Sequence, residues 1–409
     1  MGGFVFANSI NGRGGSPSSD DFGSFLTPIT GPDGSSNPPD GTVLNSIAVL
    51  GPLNSASAPG YADVIVQTSG LPGVWIGQLD LIPGTGVEAT ASMGIPGLSG
   101  NTAVIGYYNS GVFPNGAVFA CVRDLNGNWT IQQRLLPLDG APQGNFGVAC
   151  AVFGNIAVVC STVGSGPACY VFVRAGNTWT QVQQFQPSDI GVSDSLSIGA
   201  ITGNQLFLSA IDQAGNKGAV YVFTLVAGQY QQVQKIVGAA ANDFFGISVA
   251  CDSQTLVIGG GFSTTGKAYV YKSAGGGTWG LLTTLVGSDS VNGDQFGYGV
   301  AVNGTLMAIG ARAATVGGQT FAGAAYVFQF IGGTWTQTQK LTAPTPVTLT
   351  YFGSATADIA GSPSWIAVGA AAFGNASVEG AVFFFKGPAI APLTDPFVTL
   401  TMKGEKVYA

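Results

Sequence analysis

The sequence predicts an all-β chain: a seven-bladed β-propeller of four-stranded antiparallel blades, closed by its amino-terminal strand and followed by a carboxy-terminal arm. Three observations predict it. A unit of about fifty residues recurs seven times along the 409 residues. Each unit holds short apolar runs rich in Val, Ile, Phe and Tyr, separated by Gly, Asn or Pro, the pattern of strands and turns. The last unit lacks its fourth run, while the chain begins with a run that has no unit of its own.

The third strand of each unit sets the period. It reads YADVIV from Tyr61, GAVFAC from Gly116, PACYVF from Pro167, GAVYVF from Gly218, GKAYVY from Gly266, GAAYVF from Gly323 and GAVFFF from Gly380. The successive spacings are 55, 51, 51, 48, 57 and 57 residues. The first strand opens with Phe-Gly at Phe22, Phe146, Phe245, Phe296 and Phe352, and in degenerate form at Met93-Gly94 and Leu196-Ser197. The second strand ends in a small residue: Gly51, Gly106, Cys160, Ser209, Gly259, Gly310 or Gly369. The fourth begins near Trp75, Trp129, Trp179, Tyr230, Trp279 or Trp335. Four strands at this period describe a propeller blade, and seven is an ordinary blade number.

The seventh unit runs from its third strand into Pro388 and Pro392 with no fourth-strand aromatic. The segment 3–9, GFVFANS, supplies the missing strand and removes two exposed sheet edges. The propeller therefore spans 1–387, with a long insert at 24–46 in the first blade, and 388–409 remains as an arm. A loop as long as the insert is generally functional or flexible.

The Phe-Gly strand, the IGA strand and the GAAYVF strand resemble FG-GAP repeats, the propeller repeats of integrin α subunits. The resemblance covers about residues 3–387. It implies the fold more than any activity, since propellers host unrelated functions. In many such repeats a run of Asp and Asn between the first two strands binds calcium, which needs six to eight oxygen ligands. The corresponding turns here are LSGNT (98–102), FGNI (153–156), TGNQ (202–205), DSQT (252–255) and VNGT (302–305). None carries three carboxylates, Asp358 stands alone, and RDLNGNW (123–129) holds one acid between the third and fourth strands. No calcium and no other cofactor is expected. In VNGT, Asn303-Gly304 reads as a two-residue hairpin turn, because both residues tolerate positive φ.

Composition narrows the function. Charged residues make up 8% of the chain against a usual ~25%. Aromatic content is high, with 25 Phe and 12 Tyr, so the chain folds rather than remaining disordered. The net charge of −7, with 13 scattered basic residues, argues against nucleic acid and against an anionic membrane surface. No apolar run reaches the ~18 residues of a membrane span. The amino terminus lacks a basic region followed by a long apolar core, so no conventional signal peptide is expected. With no His, neither a Ser-His-Asp triad nor a His-ligated metal can form. The only adjacent acids, Asp20 and Asp21, lie in a Ser/Gly-rich loop, so no enzymatic activity is expected.

Two patterns leave alternatives open. Asp20, Asp194, Asp243 and Asp294 each stand two residues before the Phe-Gly position. They form either a ring of carboxylates on one face or caps of the blade-to-blade turns. The five cysteines are free apolar residues of a reducing compartment, or Cys150 and Cys160 bridge neighbouring strands.

The loops between second and third strands should share a face with the blade-to-blade connections. Tyr107, Tyr108, Phe113, Arg312, Phe321 and Phe373 fall in those loops, and aromatic and Arg residues are the composition of binding hot spots. The alternative is that these aromatics fold back over the blades. In the arm, Phe397, Leu400 and Met402 alternate as a strand does, and could dock on a sheet edge of another chain or fold back on the propeller. The expected role is a structural or docking component of a large assembly, a virus particle above all. A surface of Ser, Thr, Asn, Gln and Gly suits permanent interfaces, whose cores are poor in charge. A receptor- or glycan-binding propeller at a cell surface is the second reading.

Overall fold

Each sequence unit contributes to a small antiparallel sheet. The computed structural model describes residues 5–11, 26–28, 46–50, 62–67, 75–80, 92–108, 116–124, 129–138, 145–161, 166–262, 264–359, 365–371 and 381–387. These residues form seven sheets. In chain order, with strands first to fourth, the first sheet is Leu26–Pro28, Ser46–Leu50, Ala62–Gln67 and Trp75–Asp80. In the second, Ser92–Met93 and Gly97–Ser99 share the first position, followed by Thr102–Tyr108, Ala117–Arg123 and Trp129–Leu135. The third is Ala149–Phe153, Ile156–Ser161, Ala168–Ala175 and Thr178–Phe185. The fourth is Ser197–Thr202, Gln205–Ala210, Ala219–Val226 and Gln229–Val237. The fifth is Val249–Cys251, Thr255–Gly260, Lys267–Gly275 and Thr278–Leu285. The sixth is Phe296–Asn303, Leu306–Ala311, Ala324–Ile331 and Thr334–Leu341.

The seventh sheet holds Phe352–Ile359, Trp365–Ala370 and Ala381–Lys386, and its fourth strand is Val5–Asn11 from the other end of the chain. The two pair antiparallel, from Val5 opposite Lys386 to Asn11 opposite Ala381. First strands touch first strands from sheet to sheet. Leu26–Pro28 meets both Gly97–Ser99 of the second sheet and Phe352–Ile359 of the seventh.

The Phe-Gly motif has a definite mechanical job. Phe146, Phe245, Phe296 and Phe352 are fully buried. Each packs against an aromatic ring on the third strand of its own sheet: Tyr170, Tyr269, Tyr326 and Phe383, at centroid distances of 5.3, 5.2, 5.4 and 5.3 Å. The backbone of the same Phe presses against the preceding sheet. Gly323, which opens the sixth sheet's third strand, forms a parallel bridge to Phe352. Its φ is +80°, and a Cβ there would stand 2.0 Å from the Phe352 carbonyl oxygen. Gly116, Gly218 and Gly266 meet Phe146, Phe245 and Phe296 in the same way. Gly310, at the end of a second strand, meets the Gly353 carbonyl just as closely. The repeat therefore needs Gly where two sheets touch, and the spacing of its glycines is the spacing of sheet junctions.

A second lock lies along the fourth strands. Gln234 donates to the Trp279 carbonyl (2.8 Å) and accepts from the Trp279 amide (2.7 Å), so a side-chain amide imitates a strand bridge between sheets. Gln133 holds Trp179 and Gln183 holds Tyr230 in the same way. A converse clasp runs from the amides of Leu138, Ser188 and Ser288 to the side-chain oxygens of Gln181, Gln232 and Gln337. The fifth sheet breaks both patterns. Leu281 and Thr283 stand at the two glutamine positions of its fourth strand, and Leu281 is exposed.

Three sequence expectations change. Part of the segment 24–46 is a strand, because Leu26–Pro28 pairs with Ser46–Leu50; the other residues of that insert lie outside the described residues. The hairpin around 303 turns one residue later than expected. Asn303 pairs with Leu306, leaving Gly304 and Thr305 as the loop, with Gly first as in Gly154-Asn155 and Gly203-Asn204. A Cys150–Cys160 bridge is ruled out by register. Cys160 is opposite Ala149, so Cys150 projects to the other side of its sheet. Cys160 packs toward the fourth sheet and Cys150 toward the second.

Candidate docking face

The sixth and seventh sheets bring two of the sequence-selected residues into one patch. The loop 312–323 joins second to third strands in the sixth sheet. It is hydrogen-bonded to the connection leading into the seventh: the Tyr351 amide donates to the Phe321 carbonyl (2.9 Å) and the Leu349 amide to the Thr320 carbonyl (3.1 Å). These two loop classes share a face, as expected.

Arg312 lies at the patch centre. Its guanidinium carbon is 3.5 Å from the Tyr298 ring centroid and 5.8 Å from that of Tyr351. Its Nε donates to the Gln295 side-chain oxygen at 2.7 Å. On one side Tyr298 stacks on Phe262, with centroids 5.7 Å apart and planes 6° from parallel. On the other, Tyr351 meets Phe321 at 5.7 Å. Phe262, Tyr298, Arg312, Tyr351 and Phe321 thus form one continuous run from the fifth sheet's loop to the seventh. Burial lowers the Arg312 pKa from its usual value, while charge interactions with Tyr298 and Tyr351 act in the opposite direction. A cation over an aromatic face contributes about 0.5–2 kcal/mol, more when desolvated. Phe321 is 42% exposed and held at φ +55°, so it presents an apolar ring to the outside.

Two Arg–Trp contacts differ from this Arg–Tyr cluster. Arg123 lies over Trp129 (5.9 Å) and Arg174 over Trp179 (5.2 Å), at the same place in successive sheets. Recurrence at equivalent positions marks them as scaffold.

The remaining candidates separate. Tyr107 is fully buried, edge-on to Phe119 at 6.1 Å, so it is a core residue and presents nothing to a partner. It stands where the sixth sheet has Ala311, the last, buried residue of the second strand. Tyr108 stands at the position of Arg312 in its own sheet; it is half-buried, and burial raises its hydroxyl pKa. Phe113, Phe373, Phe397, Leu400 and Met402 lie outside the described residues. Sequence reasoning missed Phe262, Tyr298 and Tyr351. The signal for two of them was present, because Tyr298 and Tyr351 flank Phe-Gly motifs at positions filled differently in other units.

The acidic residues before Phe-Gly are turn caps. Asp194, Asp243 and Asp294 each accept from the amide three residues earlier: Gly191 (2.7 Å), Ala240 (3.1 Å) and Val291 (2.9 Å). Asp20 is outside the described residues. Two further acids pin the connections that lead into the fourth and sixth sheets. Asp189 accepts from Tyr221 (2.8 Å) and pairs with Lys235 (2.5 Å); Asp289 accepts from Tyr326 (2.8 Å) and pairs with Lys340 (2.6 Å). The lysine bonds, with the tyrosine hydroxyls, hold both carboxyls below the usual carboxylate range. Among the described residues no three Cys, Asp or Glu side chains converge as a metal site. No helix there is long and apolar enough to cross a membrane.

The FG-GAP repeat family matches residues 230–271 and 279–328. Each match begins at the fourth-strand aromatic of one sheet and ends in the third strand of the next, so the sequence repeat straddles two sheets. A putative 6-phosphogluconolactonase from Bacteroides uniformis is similar in structure at a TM-score of 0.51 and 12% identity, covering 80% of this chain and 87% of that one. The WD40 domain of Toxoplasma gondii coronin scores 0.49 at 10% identity, covering 96% and 89%. The β-propeller domain of the Trilobed protease from Pyrococcus furiosus scores 0.48 at 10% identity, covering 91% and 97%. At such identities the likeness concerns fold alone. No curated protein matches the chain in sequence. The chain carries FG-GAP repeats, matched over residues 230–271 and 279–328, in an all-β fold whose described residues form small antiparallel sheets.

Proposed function

We propose that the chain is a non-enzymatic docking component of a large assembly, with a virus particle as the assembly its composition suits. In this reading the seven sheets are blades of one ring, closed where Val5–Asn11 completes the last blade. The observation that carries it is the run Phe262–Tyr298–Arg312–Tyr351–Phe321 on the loop face. It joins rigid aromatic surface to a cation that rings hold in place, the composition of interface hot spots. The low charge and the absence of His support a contact role over catalysis. The arm at 388–409 lies outside the described residues, so the proposal rests on the loop face.

A receptor- or glycan-binding propeller is the second reading. The half-exposed Phe321 ring beside Arg312 favours it, since a sugar stacks on an aromatic face and bonds to a guanidinium. Two measurements on the full chain separate the readings: sedimentation in an extract of the cells that make it, and binding to a glycan array. Fast sedimentation with an empty array supports docking. Array binding by a slowly sedimenting chain supports the second reading. Slow sedimentation with an empty array counts against both.

A further inference from the structure

We propose that Cys160 and Cys169 are a site of disulfide formation that staples the second strand of the third sheet to its third strand. The two residues are direct partners in an antiparallel ladder. Such partners have Cα atoms about 4.5–5.5 Å apart, inside the range of about 4.4–6.8 Å that a disulfide spans. Their sulfurs face each other at 2.6 Å, and both residues are fully buried.

The position explains why a staple belongs here. In other sheets the same pair is Gly106–Val118, Ser209–Val220, Gly259–Ala268, Gly310–Ala325 or Gly369–Val382. The Gly106, Gly259 and Gly310 positions are kept small by the carbonyl of the next sheet's Phe-Gly glycine, 1.8–2.0 Å from where a Cβ would sit. After the third sheet that motif is Leu196-Ser197, and the opening Gly of the third strand is replaced by Pro167. Among the described junctions this is the one that lacks the Phe-Gly contact. The freed space is filled by Cys160 and Cys169, packed with Leu196 and Ile198. A disulfide there braces the third sheet itself, at the strands that border the junction where the Phe-Gly contact is missing.

The chemistry closes with glutathione disulfide as the oxidant. The Cys160 thiolate attacks one of its sulfurs, forms a mixed disulfide and releases one glutathione thiolate. The Cys169 thiolate attacks the Cys160 sulfur of that mixed disulfide, forms the cross-strand bond and releases the second. Each cysteine gives its proton to solvent, and two electrons pass to the oxidant, which leaves as two reduced glutathiones. Burial disfavours the Cys160 thiolate in the folded chain, so exchange proceeds during folding.

The test refolds the full chain with glutathione disulfide or with a reductant, quenches in acid, unfolds it, alkylates, and maps the peptides. With the oxidant, two of the five thiols should be lost, and one linked peptide pair should contain Cys160 and Cys169. Reductant should restore all five. Five alkylated thiols after oxidative refolding overturn the proposal, as does a bridge to Cys121, Cys150 or Cys251. In Cys150→Ser the same two thiols should still be lost, and in Cys169→Ser no intramolecular bridge should form. Should a variant fail to fold, the peptide map of the unaltered chain still decides.

Discussion

The carbonyl oxygen of Phe352 lies 2.0 Å from the place a Cβ on Gly323 would occupy. Gly323→Ala must therefore separate two sheets as well as hold a side chain at φ +80°. It should cost about 2–4 kcal/mol in denaturant unfolding. Gly332→Ala is the control, since it shares the positive φ (+60°) with nothing within 4 Å. Its cost should be the conformational one alone, about 1–2 kcal/mol. Equal losses would mean that the Phe-Gly contact does not hold the sheets together.

The glutamine lock predicts changes of opposite sign. Gln234→Ala strips both bonds from the Trp279 backbone and should destabilise by about 1–2 kcal/mol. Thr283→Gln places a glutamine at the position that Gln133, Gln183 and Gln234 hold in other sheets, and should stabilise by about 0.5–1 kcal/mol. Thermal unfolding of the two variants measures both, and a Thr283→Gln chain no more stable than the parent would show the junction to be spaced differently.

Acid should loosen the junctions pinned by Asp189 and Asp289. Both carboxyls are depressed by their lysine and tyrosine partners. A depressed pKa adds stability that is full above the unfolded value of about 3.9 and is lost as pH falls through the folded value. Asp189→Asn with Asp289→Asn should thus lower the melting temperature at pH 7, with the gap to the parent closing below about pH 4. Because both side chains are more than half exposed, added salt should shrink the gap as well. A gap that persists unchanged at pH 2 would assign the effect to something other than the carboxylate charge.

The pairing of Val5–Asn11 with Ala381–Lys386 makes the amino terminus essential to the seventh sheet. Removing residues 1–11 leaves Ala381–Lys386 paired only with Trp365–Ala370 and exposes its other edge. The truncated chain should aggregate or lose cooperative unfolding. An unchanged melting temperature would show that the last sheet stands without that strand.

The fold was legible because its locks are written in residues that have no substitute. A Gly at positive φ against a neighbouring carbonyl, with a buried Phe beside it, recurs at Gly116, Gly218, Gly266 and Gly323. The degenerate copies Met93-Gly94 and Leu196-Ser197 read ambiguously. The site was less legible. Tyr107 looked like a loop aromatic, because a Tyr at the end of an apolar strand is locally indistinguishable from one just beyond it; alignment with Ala311 places it in the core. Tyr298 and Tyr351 were hidden inside strand motifs, and only the folded junction brings them to Arg312. The glutamine clasps were invisible for the same reason, since each joins residues more than forty positions apart.

The central claim is that the loop face around Arg312 docks the chain into an assembly. Phe321→Asn tests it most directly. Phe321 is exposed, and Asn tolerates its left-handed φ, so the fold should survive. The measurement is the sedimentation of full-length parent and variant in extracts of the cells that make the protein, with melting temperatures taken on the purified chains. The account predicts a parent in fast-sedimenting complexes and an equally stable variant shifted toward monomer. A stable variant that sediments with the parent's complexes would contradict it.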